Sequence, residues 1–290
     1  MTPLRHRLRG TLGCLIFAVV IAGSGCARIR EQIARKYEPE RSRPTASTLS
    51  SEHLFFGNPS NANDSDPDNY LIVGNSSVIS YNSSRGTANW IAWKTTRKDL
   101  GPTLPRPDFR PDPRLPSSFE LVTYSDYSGS GYDRGHLVPS ADRFSDPALN
   151  EETFMMTNIV PQTGALNQYP WQWLEKYVRG QVKRGFDAYQ IAGVYGSTGK
   201  LKQKVTIPSN CWKVVAFLPK GRSLEQIDTL TRIIAVDIPN IEGIENDRWQ
   251  KYRTTVRSIE ERTGYDLLAQ LSRELQDMIE TRMEMDNRRR

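Results

Sequence analysis

Short apolar segments separated by glycine, asparagine and serine recur along the chain. Their brevity and their content of β-branched and aromatic residues are typical of strands. These segments predict strands at residues 71–73, 78–81, 90–93, 190–195, 205–207, 212–218 and 233–238.

Longer stretches at 166–184, 249–262 and 265–283 have the length and apolar spacing of helices, and Gly264 is expected to separate the last two. Six prolines between residues 102 and 116 exclude a helix or a central strand there and predict an extended surface loop. Strands come before and after one long central helix, without regular alternation of strand and helix. This order predicts an α+β fold with antiparallel strand pairing.

The N-terminus predicts export. Arginines at 5, 7 and 9 precede an apolar run over 12–22, which is typical of a secretory signal peptide and short for a transmembrane helix. We expect residues 1–26 to be this signal, ending in a lipobox-like stretch at Cys26, although Gly23 stands where an aliphatic residue is usual. Lipid attachment at Cys26 and ordinary cleavage with release both remain open. The expected location is therefore the cell envelope or the extracellular space.

The remaining boundaries follow from composition. Residues 27–52 are charged and contain Pro, Ser and Thr, which predicts a flexible linker. We expect one folded domain over 53–275 and a charged tail over 276–290. If Cys26 is lipidated, no internal disulfide can form, and Cys211 is expected to be a small buried residue in a strand.

Charge changes this picture only slightly. The chain has 39 basic and 33 acidic residues among 290, for a net charge of +6, which mildly favours a polyanionic partner. Part of the excess lies in the signal and in the C-terminal arginines, so charge alone is also compatible with a merely soluble basic protein.

Candidate chemistry begins with histidine. Of the three histidines, His6 lies in the export segment and His53 just beyond the linker, which leaves His136 in the run Asp133-Arg134-Gly135-His136. In an extended segment Arg134 and His136 share one face. A histidine can take a proton from water while an arginine and a divalent cation neutralise a phosphate, so the run favours phosphodiester hydrolysis.

A second element follows about thirty residues later. Asn167, Trp171 and Glu175 recur at intervals of four and form one stripe on the predicted helix, with Asn167 at its mouth if Pro170 falls in the first turn. Asn167 and Glu175 are about 12 Å apart along such a helix, so we expect Asn167 to ligate Mg²⁺ and Glu175 to orient water around the ion. The alternative is a helix-capping Asn167 and a solvated Glu175.

Taken together, these motifs resemble the DNA/RNA non-specific endonuclease family of ββα-metal (His-Me finger) nucleases, which includes bacterial secreted nucleases and endonuclease G. The resemblance spans residues 54–268. Its motifs are Gly57-Asn58-Pro59-Ser60, Tyr81-Asn82, Trp90-Ile91-Ala92-Trp93, Asp133-Arg134-Gly135-His136, Thr157-Asn158-Ile159-Val160-Pro161-Gln162, Asn167 with Trp171 and Leu174-Glu175, Pro208 with Trp212-Lys213-Val214, and Glu260-Glu261-Arg262-Thr263-Gly264.

The resemblance implies a central antiparallel sheet flanked by helices and a Mg²⁺-dependent, sugar-non-specific endonuclease acting on DNA and RNA, with Mn²⁺ as a substitute metal. By the same resemblance His136 is the general base, Arg134 contacts phosphate, Asn167 holds the metal and Glu175 supports it. A further phosphate-binding arginine is best matched by Arg106, with Arg110 as a competitor. The alternative function is a non-catalytic envelope lipoprotein that binds nucleic acid.

Overall fold

The computed structural model describes residues 51–284 of the chain. The predicted signal peptide, most of the predicted linker, Cys26 and the last six residues lie outside this range. Among the described residues no helix is both long and apolar enough to cross a bilayer.

Seven strands form one sheet, whose paired strands run antiparallel in the order β1-β2-β3-β6-β9-β10-β11, and two further strand pairs, β4-β5 and β7-β8, lie outside it. The strands are β1 Tyr70–Val73, β2 Val78–Asn82, β3 Thr87–Thr95, β4 Asp133–His136, β5 Ile159–Gln162, β6 Phe186–Tyr195, β7 Gly199–Leu201, β8 Val205–Ile207, β9 Asn210–Pro219, β10 Arg232–Pro239 and β11 Arg253–Thr254. Each strand predicted from the apolar segments is present, and the α+β prediction is confirmed.

The helices are short apart from one. They are α1 Pro147–Glu152, α2 Gly164–Leu166, α3 Gln172–Lys183, α4 Val256–Thr263 and α5 Arg273–Glu280, with a π-helical turn over Asn167–Trp171 between α2 and α3. Single 3₁₀ turns occur at Glu52–Leu54, Arg97–Asp99, Tyr124–Tyr127, Ser140–Arg143, Met156–Asn158, Leu224–Gln226 and Trp249–Tyr252. The proline-rich segment 102–116 has no helix and no named strand, as predicted.

The two faces of the sheet bury different partners. Along β9, Cys211, Val215 and Phe217 point to the layer that contains α3, whereas Trp212 and Val214 point to the opposite layer. This alternation is the period of two expected of a strand buried on both faces. The first layer, which also holds residues of β4 and β5, supports the candidate site, and we call it the site layer; the second packs α4 and α5, and we call it the far layer.

Two predicted helices are wrong in extent. The segment predicted as a helix over 249–262 is a 3₁₀ turn, then β11 paired with β10, then α4, which begins after the N-cap Thr255. The segment 265–283 forms turns up to Leu271 before α5, which is capped by Ser272. Gly264 does end α4, in the left-handed conformation that favours glycine.

The predicted tail boundary after residue 275 falls inside α5. Ile279 is 1% exposed and belongs to the far layer. Cys211 is a free, fully buried residue in β9, and burial raises the pKa of its thiol to about 12. It is therefore a structural residue, as predicted.

Candidate active site

The segment that carries His136 is the strand β4, which pairs antiparallel with β5 so that Asp133 lies opposite Gln162 and His136 opposite Ile159. Asn158 closes the end of this pair. Its Nδ2 donates to the carbonyls of Val138 (3.0 Å) and Thr153 (2.8 Å), and its Oδ1 accepts from Val138 N (2.9 Å). Asn158 thus satisfies three buried backbone groups and fixes the backbone that follows His136.

Gly135 is required by packing within this strand pair. A Cβ at this position would overlap the carboxamide of Gln162, which is itself fully buried. The group that comes close to Gly135 is thus the Gln162 side chain.

The ring of His136 lies between aromatic side chains. Its centroid is 5.5 Å from that of Phe109 and 4.9 Å from that of Phe154, the latter edge-on. Although the residue is partly exposed, Nε2 is shielded from solvent and has no hydrogen-bond partner among the described residues. Desolvation and the nearby positive charge of Arg106 lower the pKa of His136 to about 3. The imidazole is therefore neutral at pH 7, with a ring nitrogen available to accept a proton.

Two arginines lie beside this ring. The guanidinium carbon of Arg134 is 3.6 Å from the ring centroid of Tyr124 and 5.9 Å from that of Phe109. Arg106 is exposed and lies over Phe109 (5.2 Å) and Phe154 (5.9 Å), the same two rings that contact His136. Arg106, Phe109, Tyr124 and Arg134 line an open cavity of about 470 Å³, together with Pro107 and the exposed Asp108.

Arg110, the competing upstream arginine, is held elsewhere. Its guanidinium forms an ion pair with Glu151 at 3.1 Å, and its backbone bonds to Phe154 and Met156. Because Arg110 already has an acidic partner and Arg106 has none among the described ion pairs, the geometry favours Arg106 as the arginine that faces an incoming phosphate.

The side chain of Asn167 is hydrogen-bonded to Asp133, the first residue of β4. Its Nδ2 donates to Asp133 Oδ2 at 2.9 Å, and Gln168 Nε2 donates to the same oxygen at 2.9 Å. Because the amide nitrogen Nδ2 points to Asp133, the amide oxygen Oδ1 is the atom of Asn167 that could coordinate a cation.

The helix around Asn167 differs from the prediction. Helical backbone begins at Gly164, so Asn167 is not at the helix mouth, and Pro170 lies inside the π-helical turn rather than in a first turn. Proline has no N–H to donate, and a π turn accommodates that break in the hydrogen-bond ladder. Such turns occur frequently at functional sites.

Trp171 links this helix to the strand. Its indole Nε1 donates to the carbonyl of His136 at 3.2 Å. Glu175 follows one helical turn later. Burial raises the pKa of Glu175, opposed by the positive charges of Lys213 and Arg179. Glu175 is therefore a shielded carboxylate among cations, rather than the solvated surface residue of the alternative interpretation.

Beneath Glu175 lies Lys213, which the sequence analysis quoted within the motif Trp212-Lys213-Val214 without assigning it a role. Lys213 is fully buried, and its Nζ lies 4.5 Å from the Trp171 ring centroid and 5.0 Å from that of Trp93, without a hydrogen-bond partner among the described residues. Arg179 completes the cluster through an ion pair with the buried Asp142 at 3.0 Å. A lone lysine within the apolar run of β9 was the signal that could have identified it.

Comparisons with known proteins agree with this geometry. The model of the family described as DNA/RNA non-specific endonuclease matches residues 57–274. The chain belongs to the DNA/RNA non-specific endonuclease family. It is 44% identical over 282 residues to a nuclease of Nostoc sp., covering 95% of this chain and 98% of that relative.

More distant relatives extend the family. Nuclease C1 of Cunninghamella echinulata is 34% identical, over 58% of this chain and 70% of that protein. Human mitochondrial endonuclease G is 32% identical, over 54% of each chain. A solved structure of EndoG in complex with EndoGI superposes with a TM-score of 0.64 at 21% identity, covering 77% of this chain and 92% of that one.

These findings confirm the ββα-metal nuclease fold, in which β4, β5 and the helical segment from α2 to α3 are the ββα unit. As a member of this family the chain is a hydrolytic nuclease that acts on nucleic acids, and the family implies a divalent metal.

Proposed function

We propose that the domain is a Mg²⁺-dependent, sugar-non-specific endonuclease that hydrolyses phosphodiester bonds of both DNA and RNA. The observation that carries this proposal is the state of His136: a neutral imidazole with a shielded, unpartnered Nε2, next to an arginine-lined cavity. A general base must be unprotonated and within reach of the attacking water, and this ring is unprotonated at any pH near neutrality.

We assign a separate role to each residue of the site. His136 accepts the proton of the attacking water at a ring nitrogen. Arg106 and Arg134, held on aromatic faces at the cavity wall, bind the phosphate oxygens and balance the charge that develops on them. Glu175 supports the site rather than touching substrate, because it is shielded and faces Lys213 and Arg179, one helical turn after the Trp171 that holds the carbonyl of His136.

The donor set at Asn167 fits a hard divalent cation. Asn167 Oδ1 is a neutral oxygen ligand, and the Asp133 carboxylate beside it adds negative charge. Oxygen donors in small number suit Mg²⁺, which keeps much of its own hydration, and Mn²⁺ accepts similar ligands. When bound, the ion would supply Lewis-acid stabilisation of charge on the phosphate.

Weak sequence preference follows from the same contacts. The cations of the cavity address phosphate oxygens, which are identical at every nucleotide, and such contacts carry no base information. The 2′-hydroxyl that distinguishes RNA from DNA has no dedicated partner in this proposal, so both substrates are expected to be cut.

The test is cleavage of supercoiled plasmid and of a structured RNA by the purified domain with Mg²⁺, with and without EDTA. His136→Ala should lower kcat by about 10²- to 10⁴-fold, which is the usual contribution of a general base, while substrate binding is retained. His53→Ala is the matched control, because His53 lies outside the site and bonds to Asn75 and Lys94.

Turnover by His136→Ala equal to that of the His53→Ala control would remove the assignment of the base. Absence of cleavage by the wild-type domain with Mg²⁺ or Mn²⁺, together with retained DNA binding, would instead support the second candidate, a non-catalytic nucleic-acid-binding lipoprotein. The complete set of base, arginines and metal ligand at one site favours the enzyme.

We also propose that the chain is exported and then held at the envelope through lipid on Cys26 or released. The support is the apolar run after basic residues and the small-residue stretch before the cysteine. The mass of the mature N-terminus tests this: a diacylated or triacylated Cys26 shows anchoring, an unmodified N-terminus near residue 26 shows release, and an intact Met1 excludes export by this route.

A further inference from the structure

The solvent-facing side of α3 begins beside Asn167 and leads away from the site. Along it lie Tyr169, Trp173 and Lys176, followed by Lys183 and Arg184 at the end of the helix. Tyr169, Trp173, Lys176 and Lys183 follow one another at intervals of four, three and seven residues, which places them on one side of a helix, and Arg184 is the residue that ends it. We call these five residues the α3 track. None of them is acidic, because Glu175 lies on the opposite, shielded side of the helix.

The far end of the track is positively charged. Lys183 and Arg184 are exposed, and so are Arg97, Lys98 and Lys220, which line a neighbouring cavity of about 530 Å³. Arg97 Nη1 donates to the carbonyl of Lys183 at 2.9 Å, which joins the two groups. Among the ion pairs of residues 51–284, none uses any of these five cations.

The acidic residues of this cavity have other partners or are buried. Glu52 pairs with Lys94 at 3.2 Å, and Asp99 accepts from Thr96 N and Oγ1 within its own turn. Asp187, the third, is only 7% exposed. The exposed charge at this end of the domain is therefore predominantly positive and has no acidic partner among the ion pairs of the described residues.

The near end of the track is aromatic. Tyr169 is 38% exposed and meets Trp173 edge-on with ring centroids 5.9 Å apart, two and six positions after the metal-ligand candidate. Trp173 also packs against the site layer, which holds the pair in place. Exposed aromatic faces next to a phosphate site are the usual platform for unstacked bases.

The length of the track matches a segment of nucleic acid. From Asn167 to Lys183 there are sixteen helical positions, or about 24 Å at 1.5 Å per residue. At about 3.4 Å per nucleotide along one strand this is about seven nucleotides. A strand whose scissile phosphate lies at the site could thus reach the cations at the end of α3.

We propose that the α3 track and the adjoining cations Arg97, Lys98 and Lys220 form an extended nucleic-acid-binding surface that holds the substrate strand about seven nucleotides from the scissile bond. The inference rests on the proposed function, since it takes Asn167 and His136 as the point of cleavage. The occupant is a polyanionic strand with accessible bases, because the surface offers aromatic rings near the cut and unpaired cations farther along.

The test compares Lys183→Gln/Arg184→Gln with Lys251→Gln/Arg273→Gln, which removes the same two charges from exposed positions on other elements, each 62% exposed at the side chain. Substrates are kilobase DNA and a p-nitrophenyl phosphodiester of thymidine, which is too small to reach residue 183. If both cations contact phosphate, the slope of log affinity against log salt falls by about 1.8 in magnitude, and KM for long DNA rises by up to about 60-fold at 0.1 M salt.

A second variant tests the aromatic end. Tyr169→Ala should weaken binding of single-stranded DNA by about 5- to 150-fold, the usual effect of removing a base-stacking ring, and Tyr169→Phe should restore it. Restoration by phenylalanine distinguishes stacking from a role of the hydroxyl.

The proposal is supported if the track variants change KM and salt slope on long DNA while the thymidine ester is turned over as by wild type. It is overturned if the 183/184 and 251/273 variants lose the same affinity, or if neither loses any. Failure of the proposed function has a different signature, namely that wild-type protein with Mg²⁺ cleaves neither substrate.

Discussion

Replacing Lys213 by Met tests whether the buried cluster below the site is held by charge. Lys213 and Arg179 face the carboxylates of Glu175 and Asp142, and the buried Arg143 also faces Asp142. Burial lowers the pKa of Lys213 and raises that of Glu175, whereas the attraction between the two groups opposes both shifts. Lys213→Met keeps the volume but removes the main cation that faces the buried Glu175 carboxylate.

The expected magnitude follows from these contacts. Breaking a buried ion pair by removing one partner costs about 3–5 kcal/mol. Loss of the cation's contacts with the Trp93 and Trp171 rings adds about 1–2 kcal/mol, and burial of the methionine side chain returns about 2 kcal/mol. We therefore expect Lys213→Met to lower the free energy of unfolding by about 2–5 kcal/mol.

A double-mutant cycle separates charge from packing. Glu175→Gln alone should also destabilise, because it leaves Lys213 in excess, whereas Lys213→Met/Glu175→Gln restores neutrality and should lie within about 1 kcal/mol of wild type. Urea unfolding of the four proteins at pH 7 gives the coupling energy. A loss below about 1 kcal/mol in Lys213→Met, or strict additivity in the double variant, would show that the pair is uncharged and refute this reasoning.

Three further perturbations have defined outcomes. Gly135→Ala should lower the melting temperature and kcat together, because the new Cβ displaces the Gln162 carboxamide next to the base; wild-type values in both thermal unfolding and kinetics would contradict this. His136 is neutral in the fold down to pH about 3 but has a pKa near 6.5 when unfolded, so its contribution to stability is constant above pH 6.5. Below that it falls by up to about 1.4 kcal/mol per pH unit, a slope that His136→Ala should lack in urea titrations between pH 6.5 and 4. Asp112→Asn should lower the free energy of unfolding by about 3–5 kcal/mol, because the Asp112 carboxylate is shielded from solvent and paired with Arg114, whose bonds lower its pKa. In the control Glu151→Gln, which breaks an exposed ion pair, urea unfolding should show a change of less than about 1 kcal/mol.

The strands were predictable because each carries a local signal. In β9 nearly every residue is apolar, and β3 has an apolar run from Trp90 to Trp93. Short runs of this kind, rich in β-branched or aromatic residues, are typical of strands buried on both faces of a sheet. The helices after residue 249 were less predictable. Leu267, Leu268 and Leu271 have helical spacing, but they fill the far layer from turns whose carbonyls accept from Gln276.

The candidate site likewise has parts that the sequence predicted and parts that it did not. Arg134 and His136 were expected on one face of an extended segment, and both contact Phe109 in the structure. The π-helical turn at Asn167 and the cluster around Lys213 depend on contacts between elements far apart in the chain, which spacing along one element cannot reveal. The attachment of Asn167 to Asp133 is a contact of the same kind.

The position of Lys213 also determines how β9 can align with its neighbours. The strand is apolar on both faces, so hydrophobicity alone would tolerate a shift of one residue against β6 and β10. Such a shift would turn the ammonium into the far layer, away from the two indole rings and from the carboxylates of Glu175 and Asp142 that attract it. One charged side chain thus selects the native alignment of an otherwise ambiguous central strand, and with it the alignment of the whole sheet.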